Sequence, residues 1–398
     1  MDFAFSPEDV AFRQEVRDFL RRELPPNRPI RNDREPMSAE EEETWWSLAA
    51  KLAEKGWLTM AWPKQYGGMG VSPIRQLVFN EEIAYELVLQ VWAIGVNMVG
   101  PVIMRFGDEA QKARYLPAIA RLEETWCQGF SEPEAGSDLA SLSCPAVADG
   151  DAFVVNGTKI WTSHAFRARQ MILLARTDPK APKHKGISCL AVDMESPGIT
   201  IQPLTNLLDS AAFNQIYFDN VRVPRENLIG ELNQGWFAAT LTLEHERVMV
   251  GVRRLLEGYR FLNGLVDYVK TQRHADGLSA RELDLVKLAL ADMRVTFEVG
   301  RLLNYQAAWL LEQGKSAAIE ASMTKLLATE YDQRLANIAL KVLDQRGQLM
   351  PGSWGAPPLG GGFPSWYVAV MGHTIAAGTS EVLRNVIAQR GLGLPRAD

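Results

Sequence analysis

The stretch AFVVNGTKIWT at residues 152–162 decides the fold class, because it has a β-strand composition within a chain whose flanks are helical in pattern. β-Branched and aromatic residues fill both halves, and Asn156-Gly157 between them is the strongest short signal for a β-hairpin turn. Further short apolar runs, each bounded by Pro, Gly, Asn or Asp, follow as MILLART (171–177), GISCLAVDM (186–194), ITIQPL (199–204) and NQIYFDNVRV (214–223). This pattern predicts a small antiparallel barrel or sandwich.

Helical patterns occupy both sides of this region. Ser6 before Pro7 is typical of a helix start, and Ser38 with Glu41 forms a capping-box pattern ahead of a second helix. The periodicity after residue 235 predicts an antiparallel bundle from four stretches, 236–273, 279–313, 316–345 and 379–390. The predicted class is α+β, with an N-terminal helical domain (1–123), a middle antiparallel β-barrel domain (124–232) and a C-terminal four-helix bundle (233–398).

The bulk composition limits the function classes. The chain has 398 residues, 47% of them hydrophobic, which is more than one compact core usually holds. A net charge of −6 without a basic stripe disfavours nucleic-acid binding and polybasic membrane binding. Three cysteines without a CxxC pair, together with an N-terminus unlike a signal or transit peptide, predict a cytoplasmic protein that is not inserted in a membrane.

Four short motifs point to one chemistry. They are GFSEPEAGSD (129–138), NGTKIWTS (156–163), FDNVRVP (218–224, followed by ENLIG) and GTSEVLR (378–384). Together and in this order they resemble the acyl-CoA dehydrogenase family over essentially the whole chain. The resemblance implies a flavoprotein of lipid metabolism with FAD between the β domain and the bundle. It also implies that the enzyme oxidises Cα–Cβ of an acyl-CoA thioester to a trans-2-enoyl-CoA and passes electrons to an electron-transfer flavoprotein or a similar acceptor.

The same resemblance assigns residues to the flavin. The backbones around Phe130 and Ser131, with the Ser131 hydroxyl, are expected to meet the flavin edge. Trp161 is expected to cover the ring and Ser163 to bond near N5, although a tryptophan in a strand is otherwise usually a core residue. Ser137 is expected on the pantetheine side of the substrate; the alternative is a loop serine that caps Asp138.

The position of the catalytic base differs from that in many relatives. Many relatives carry a glutamate immediately before the Gly-Thr of the last motif, but this chain has Ala377 before Gly378. A subset of the family, including members acting on branched and steroid side chains, places the base on the first bundle helix directly before an arginine. That position is Glu246, followed by Arg247, and Arg247 with Glu244 matches substrate-binding positions. Ala377 keeps a backbone N–H that can still bind the thioester oxygen.

The segments that complete the partner subunit's FAD site in relatives diverge here. Arg273 and a glycine four residues later remain, but Asp276 replaces an aromatic residue, and an acidic side chain beside phosphates is unfavourable. LDQRG (343–347) replaces the usual Gly-Gly turn, whereas Thr379 and Glu381 are retained for the cofactor. The chain is therefore expected either to pair with a different, complementary subunit or to form a homo-oligomer with altered FAD contacts.

Two other functions stay open on the sequence alone. A flavin monooxygenase or oxidase on the same fold would pass electrons to oxygen, and the Glu246–Arg247 pair disfavours it. A non-catalytic subunit of a heteromeric dehydrogenase would show no flavin reduction by any thioester. No metal is predicted, because His164, His245 and His373 are not at metal-ligand spacing.

Overall fold

The computed structural model describes residues 5–26, 28, 30, 35–271, 280–355 and 357–395. Residue contacts divide the chain into two compact units. The first, here called the helical unit, comprises residues 1–35, 71–89 and 247–398. The second, here called the β unit, comprises residues 36–70 and 90–246.

The elements follow the order helices, strands, helices, which confirms the predicted fold class. The N-terminal helices are α1 (Pro7–Glu23), α2 (Ala39–Glu54), α3 (Pro73–Tyr85), α4 (Gly100–Phe106) and α5 (Glu109–Ala120). The strands are β1 (Trp126–Gly129), β2 (Ala146–Asp149), β3 (Ala152–Ser163), β4 (Gln170–Arg176), β5 (Ile187–Asp193), β6 (Ile199–Leu204), β7 (Phe213–Pro224) and β8 (Leu228–Ile229). The C-terminal helices are α6 (Gly235–Thr271), α7 (Ala280–Glu312), α8 (Ala318–Leu343), α9 (Gly362–Val370) and α10 (Ser380–Val386). Among the helices in these ranges, none combines the length and apolar character that crossing a membrane requires.

The predicted helix starts are confirmed by their capping bonds. The Ser6 side chain accepts a hydrogen bond from the Asp9 N–H at the start of α1. Ser38 and Glu41 exchange both bonds of a capping box at the start of α2. Such caps satisfy N–H groups that have no partner within the helix, and each contributes about 1 kcal/mol.

Aromatic stacking organises the core of the helical unit. Phe261 of α6 stacks on Trp366 of α9 with ring centroids 4.2 Å apart, and Phe363 meets Phe261 edge-on at 5.2 Å. Tyr259 stacks on Phe297 of α7 at 3.9 Å. Beyond the area they bury, such pairs contribute about 0.5–1.5 kcal/mol each. The core therefore fixes α6 against both α7 and α9.

A buried carboxylate joins α1, α3 and α7. Glu81 of α3, 2% exposed at its side chain, accepts from Arg13 of α1 at 2.7 Å and from Arg301 of α7 at 2.9 Å. Arg13 also donates to Glu82 at 2.7 Å, and the Tyr305 hydroxyl lies 3.3 Å from Glu81. Three helices thus depend on one charge that has little access to water.

Two four-stranded sheets make up the strand region of the β unit. Their orders are β1-β4-β5-β8 and β2-β3-β7-β6. Every pair of neighbouring strands is antiparallel except β1 and β4, which are parallel. Met171 and Leu190 of one sheet join Val155 and Ile216 of the other in a single buried cluster. The arrangement is a two-sheet sandwich.

The predicted hairpin at Asn156-Gly157 is wrong. β3 runs unbroken through both residues, and both of its halves pair with β7. The register shifts between Val155 and Gly157, so the dipeptide forms a bulge instead of a turn. The Asn220 N–H of β7 donates to Asn156 Oδ1 at 2.8 Å. A distant strand supplied a partner for both halves, and local turn propensity could not reveal that strand.

Replacing Glu81 with glutamine is expected to lower the free energy of unfolding by about 3–5 kcal/mol, because it leaves two arginines facing a neutral amide in a buried position. Asp149→Asn is the matched control; it breaks the exposed Arg222–Asp149 pair and should leave the free energy of unfolding nearly unchanged. Urea denaturation followed by circular dichroism measures both. Equal midpoints for the two variants would contradict a structural role for Glu81.

Candidate active site

The loop after β1 presents backbone N–H groups. The Phe130 carbonyl accepts a hydrogen bond from Lys159 Nζ at 3.0 Å, and the Ser131 carbonyl accepts one from the Ile160 N–H at 2.9 Å. Both carbonyls are therefore directed at β3. Within the part of the chain that the structure describes, the N–H groups of Phe130 and Ser131 donate no hydrogen bond. They are available to an acceptor such as the edge of a flavin.

Trp161 is not a core residue. Its side chain is 60% exposed and meets Phe213 edge-on at 5.9 Å. Its φ is +61°, in the left-handed region, and the β3–β7 register shifts between Lys159 and Thr162 beside it. A non-glycine residue at positive φ costs about 1–3 kcal/mol, and such strain clusters at functional sites. The bulge turns a large aromatic face outward, as a ring-covering residue requires.

The two predicted serines differ in their surroundings. Ser163 is half-buried at the end of β3, opposite Phe213 of β7. Ser137 is exposed beside Asp138, whose carboxylate pairs with Lys183. Phe130, Ser131, Trp161 and Ser163 are all carried by the β1 loop and β3 of the β unit. These residues fit a flavin by an exposed aromatic face, open N–H donors and hydroxyl groups.

The helical unit holds the other motif in a strained turn. Ala377 has φ +57° and Gly378 has φ +95°. The Gly378 carbonyl accepts a hydrogen bond at 2.7 Å from Lys325 of α8, which is fully buried. A Cβ placed on Gly378 would lie 3.8 Å from Nε of Arg247, so the α6 arginine approaches this turn. Thr379 then caps α10 by accepting from the Val382 N–H at 3.2 Å.

α8 also holds the segment that leads into this turn. Gln333 donates to the Thr374 hydroxyl at 3.0 Å. Asp332 lies 3.1 Å from Nδ1 of His373, and these two residues are buried. Glu381 lies exposed in the first turn of α10. Its pKa is below the ordinary value because its own backbone N–H and the Thr379 hydroxyl stabilise the carboxylate.

Glu244, Glu246 and Arg247 are all half-buried residues of α6. The boundary between the two units falls between Glu246 and Arg247, inside this one continuous helix. His245 between the glutamates is exposed. A half-buried carboxylate on a rigid helix is a suitable general base, since it is accessible to substrate and its position is fixed.

The predicted cofactor residue Arg273 lies outside the described residues, as does the rest of segment 273–277. Segment 343–347 is described. There α8 ends at Leu343, Asp344 has φ +52°, and a short 3₁₀ turn follows.

Sequence reasoning missed a buried ion pair behind the β1 loop. Lys159, fully buried, donates to Glu132 Oε1 at 2.7 Å. Glu132 also accepts from the N–H groups of Ser143 at 2.7 Å and Cys144 at 2.9 Å. The available signal was a lysine inside the apolar run TKIW. Lys325, equally buried on α8, was missed in the same way.

The pKa of Glu132 lies below its ordinary value. Burial alone would raise it, but the charge and hydrogen bond of Lys159 and the N–H groups of Ser143 and Cys144 outweigh burial. Burial acts in the opposite sense on the partner and lowers the pKa of Lys159, against the attraction of Glu132. We assign an ionised pair, because a carboxylate that accepts three N–H bonds is stabilised in its charged form.

Three family models match the chain in succession: the acyl-CoA dehydrogenase N-terminal domain at residues 6–123, the middle domain at 127–221 and the C-terminal domain at 233–392. The acyl-CoA dehydrogenase IpdE1 of Mycobacterium tuberculosis is 34% identical over 368 residues, covering 91% of this chain and 90% of the relative. The chain belongs to the acyl-CoA dehydrogenase family and is an oxidoreductase.

Two solved structures are similar over the full length of both chains. One is the Tcur3481-Tcur3483 steroid ACAD, with a TM-score of 0.87 and 32% identity. The other is the ChsE4-ChsE5 complex from Mycobacterium tuberculosis, with a TM-score of 0.86 and 33% identity.

Glu132→Gln is expected to destabilise the protein in a pH-dependent manner. Because the folded-state pKa of Glu132 is lowered, its stabilising contribution is present above the unfolded pKa of about 4.3 and is lost as pH falls through the folded value. The free energy of unfolding of the wild type should therefore exceed that of the variant by about 3–5 kcal/mol at neutral pH. This difference should narrow below about pH 4. The midpoints of urea denaturation, measured for both proteins from neutral pH to below about pH 4, report this difference in stability. A gap that stays constant down to the acid limit of folding would refute the assigned ion pair.

Proposed function

We propose that the chain catalyses FAD-dependent α,β-dehydrogenation of an acyl-CoA thioester to a trans-2-enoyl-CoA. The observation that carries this proposal is the turn at Ala377-Gly378. It keeps the left-handed backbone and a buried anchor to Lys325 although the glutamate of many relatives is absent. A turn of this kind can donate its backbone N–H to a ligand whatever side chain it carries.

Glu246 is the proposed base. It is half-buried on α6 and directly precedes Arg247, which approaches the Gly378 turn. To remove the α-proton, its carboxylate must come within about 3 Å of that hydrogen's carbon in the complex. The Ala377 N–H is proposed to bind the thioester oxygen, which acidifies the α-proton and stabilises the negative charge that develops. In this proposal the backbone of Ala377 polarises the thioester carbonyl, and the side chain of Glu246 supplies the base.

The β unit is proposed to hold the cofactor. FAD, when bound, supplies the hydride acceptor. The N–H groups at Phe130 and Ser131 and the hydroxyl groups of Ser131 and Ser163 are proposed to bond the flavin edge, with Trp161 covering the ring. Thr379 and Glu381 of the helical unit, together with Arg273, are proposed to contact the FAD of a neighbouring subunit, because the corresponding segments in relatives complete the partner subunit's FAD site.

The substrate contacts and the acyl class are proposals as well. Ser137, Glu244 and Arg247 are proposed to bind the pantetheine and nucleotide portions, with Ala377 and Gly378 at the thioester. A base on the bundle helix favours a bulky, branched or steroid-like acyl group. The name of one similar structure, a steroid ACAD, supports the same class.

An exposed apolar stripe supports oligomer formation. It follows one face of α7 at helical spacing and comprises Leu285, Leu288, Val295, Val299 and Leu302, which are 45–67% exposed. Isolated apolar residues on a surface are ordinary, but a stripe of five on one helix is typical of an interface. The names of the two similar structures each pair two components. We propose a hetero-oligomer in the cytoplasm, with electron-transfer flavoprotein or a similar acceptor as redox partner.

Glu246→Gln is expected to keep bound FAD but to slow flavin reduction by acyl-CoA about 10²–10⁴-fold, because the proton acceptor is lost while the shape is kept. Anaerobic loss of the visible flavin band on mixing with a panel of CoA thioesters measures this rate. Asp267→Asn, an exposed carboxylate change on the same helix, is the control and should reduce normally. Wild-type speed in the glutamine variant would remove Glu246 from the mechanism. A wild type that no thioester bleaches, even with its partner subunit, would indicate a non-catalytic subunit.

The chain purified alone is expected to bind clearly less than one FAD per chain, because Asp276 stands where relatives have an aromatic residue in the segment that completes a neighbour's site. Flavin absorbance against protein mass measures the ratio, before and after an excess of FAD and dialysis. One tightly held FAD per chain in a homo-oligomer would contradict the proposed mixed assembly.

A further inference from the structure

We propose that the buried Glu132–Lys159 pair is a positioning device that aims the Ser131 N–H at the flavin. This inference rests on the proposed function, because it concerns the FAD site of the β unit. Neither residue is proposed to touch the cofactor, and both act through the loop between them.

The planarity of the peptide bond makes the argument specific. The Phe130 carbonyl and the Ser131 N–H belong to the same trans peptide, so they point in opposite directions. Lys159 Nζ holds that carbonyl at 3.0 Å on the β3 side of the loop. The Ser131 N–H therefore points away from β3, and the lysine is the side chain that holds this peptide directly. A side chain at position 159 without a hydrogen-bond donor would release the peptide to rotate.

The carboxylate fixes the lysine in turn. Glu132 Oε1 lies 2.7 Å from Lys159 Nζ, and the Ser143 and Cys144 N–H groups hold the same carboxylate. The Glu132 N–H donates to the Ala135 carbonyl at 3.0 Å, so the loop cannot shift without breaking several bonds. The ammonium thus has one position, which is set by groups on two different segments.

The pair is poorly explained as a stabilising device alone. A buried ion pair usually contributes no more to stability than well-packed apolar residues of similar volume, because both charges must leave water. Lys159 and Glu132 are 0% and 6% exposed. An apolar pair, however, cannot donate the hydrogen bond that holds the Phe130 carbonyl in one direction.

The test compares FAD affinity with folding in the full-length protein, together with its partner subunit where FAD binding requires one. The variant Glu132→Gln with Lys159→Met removes both charges and keeps one amide oxygen, which can accept from either the Ser143 or the Cys144 N–H. Thermal melting of the FAD-free protein measures folding, and quenching of FAD fluorescence measures affinity. We expect the FAD-free melting temperature to fall by no more than a few degrees, because one buried N–H loses its acceptor, but FAD binding to be at least tenfold weaker. Arg222→Met with Asp149→Asn, an exposed pair between β7 and β2, is the control and should change neither measurement.

A second variant keeps the test decisive if the first does not fold. Glu132→Gln with Lys159→Gln restores a neutral donor near the Phe130 carbonyl, so it should bind FAD more tightly than the methionine variant. If the methionine variant does not fold, the glutamine variant is compared with wild type, and FAD binding more than tenfold weaker than wild type would overturn the inference. A folded methionine variant that binds FAD within twofold of wild type would overturn the inference. So would equal affinities for the two lysine replacements, and the proposed function would survive either result. Failure of the wild type to bind FAD under every condition would instead reject the proposed function.

Discussion

A hydrogen bond from a buried ammonium group to a backbone carbonyl occurs in each unit, where it holds the loop after β1 and the turn at Gly378 respectively. Lys159 donates to the Phe130 carbonyl in the β unit, and Lys325 donates to the Gly378 carbonyl in the helical unit. Both lysines are fully buried. Since a peptide is planar, holding its carbonyl fixes the following N–H as well. These bonds therefore orient the N–H of Ser131 in the β unit and the N–H of Thr379 in the helical unit.

Local signals in the sequence predicted much of the fold. The caps at Ser6 and Ser38 depend on residues three positions apart, and both bonds form as predicted. α8 was expected at 316–345 and spans Ala318–Leu343, because its periodicity is a property of a single segment. The hairpin failed for the opposite reason. The true partner of Asn156 is Asn220, 64 residues away, and no local propensity encodes that pairing.

The contrast between local signals and distant pairings also explains which features of the candidate site could be predicted from the sequence. Motif resemblance located the loop at Phe130 and the turn at Ala377, but the groups that hold them are distant in sequence. Lys159 is 29 residues from Phe130, and Lys325 is 53 residues from Gly378. In the sequence each appears only as a charge within an apolar pattern, and its partner becomes identifiable only when the chain is folded. The exposure of Trp161 was equally hidden, because it arises from a bulge that depends on the register with β7.

Stability and chemistry are carried by different interactions in the helical unit. The Phe261–Trp366 stack joins α6 to α9, and the Glu81 ion pairs join α1, α3 and α7. That turn is held instead by polar groups of α8, namely Lys325, Asp332 and Gln333. A carboxylate at position 377 is not required for any of these contacts, since they involve the backbone and neighbouring side chains. The strained geometry of the turn is therefore compatible with an alanine at position 377, and the proposed base, Glu246, belongs to a different element, α6.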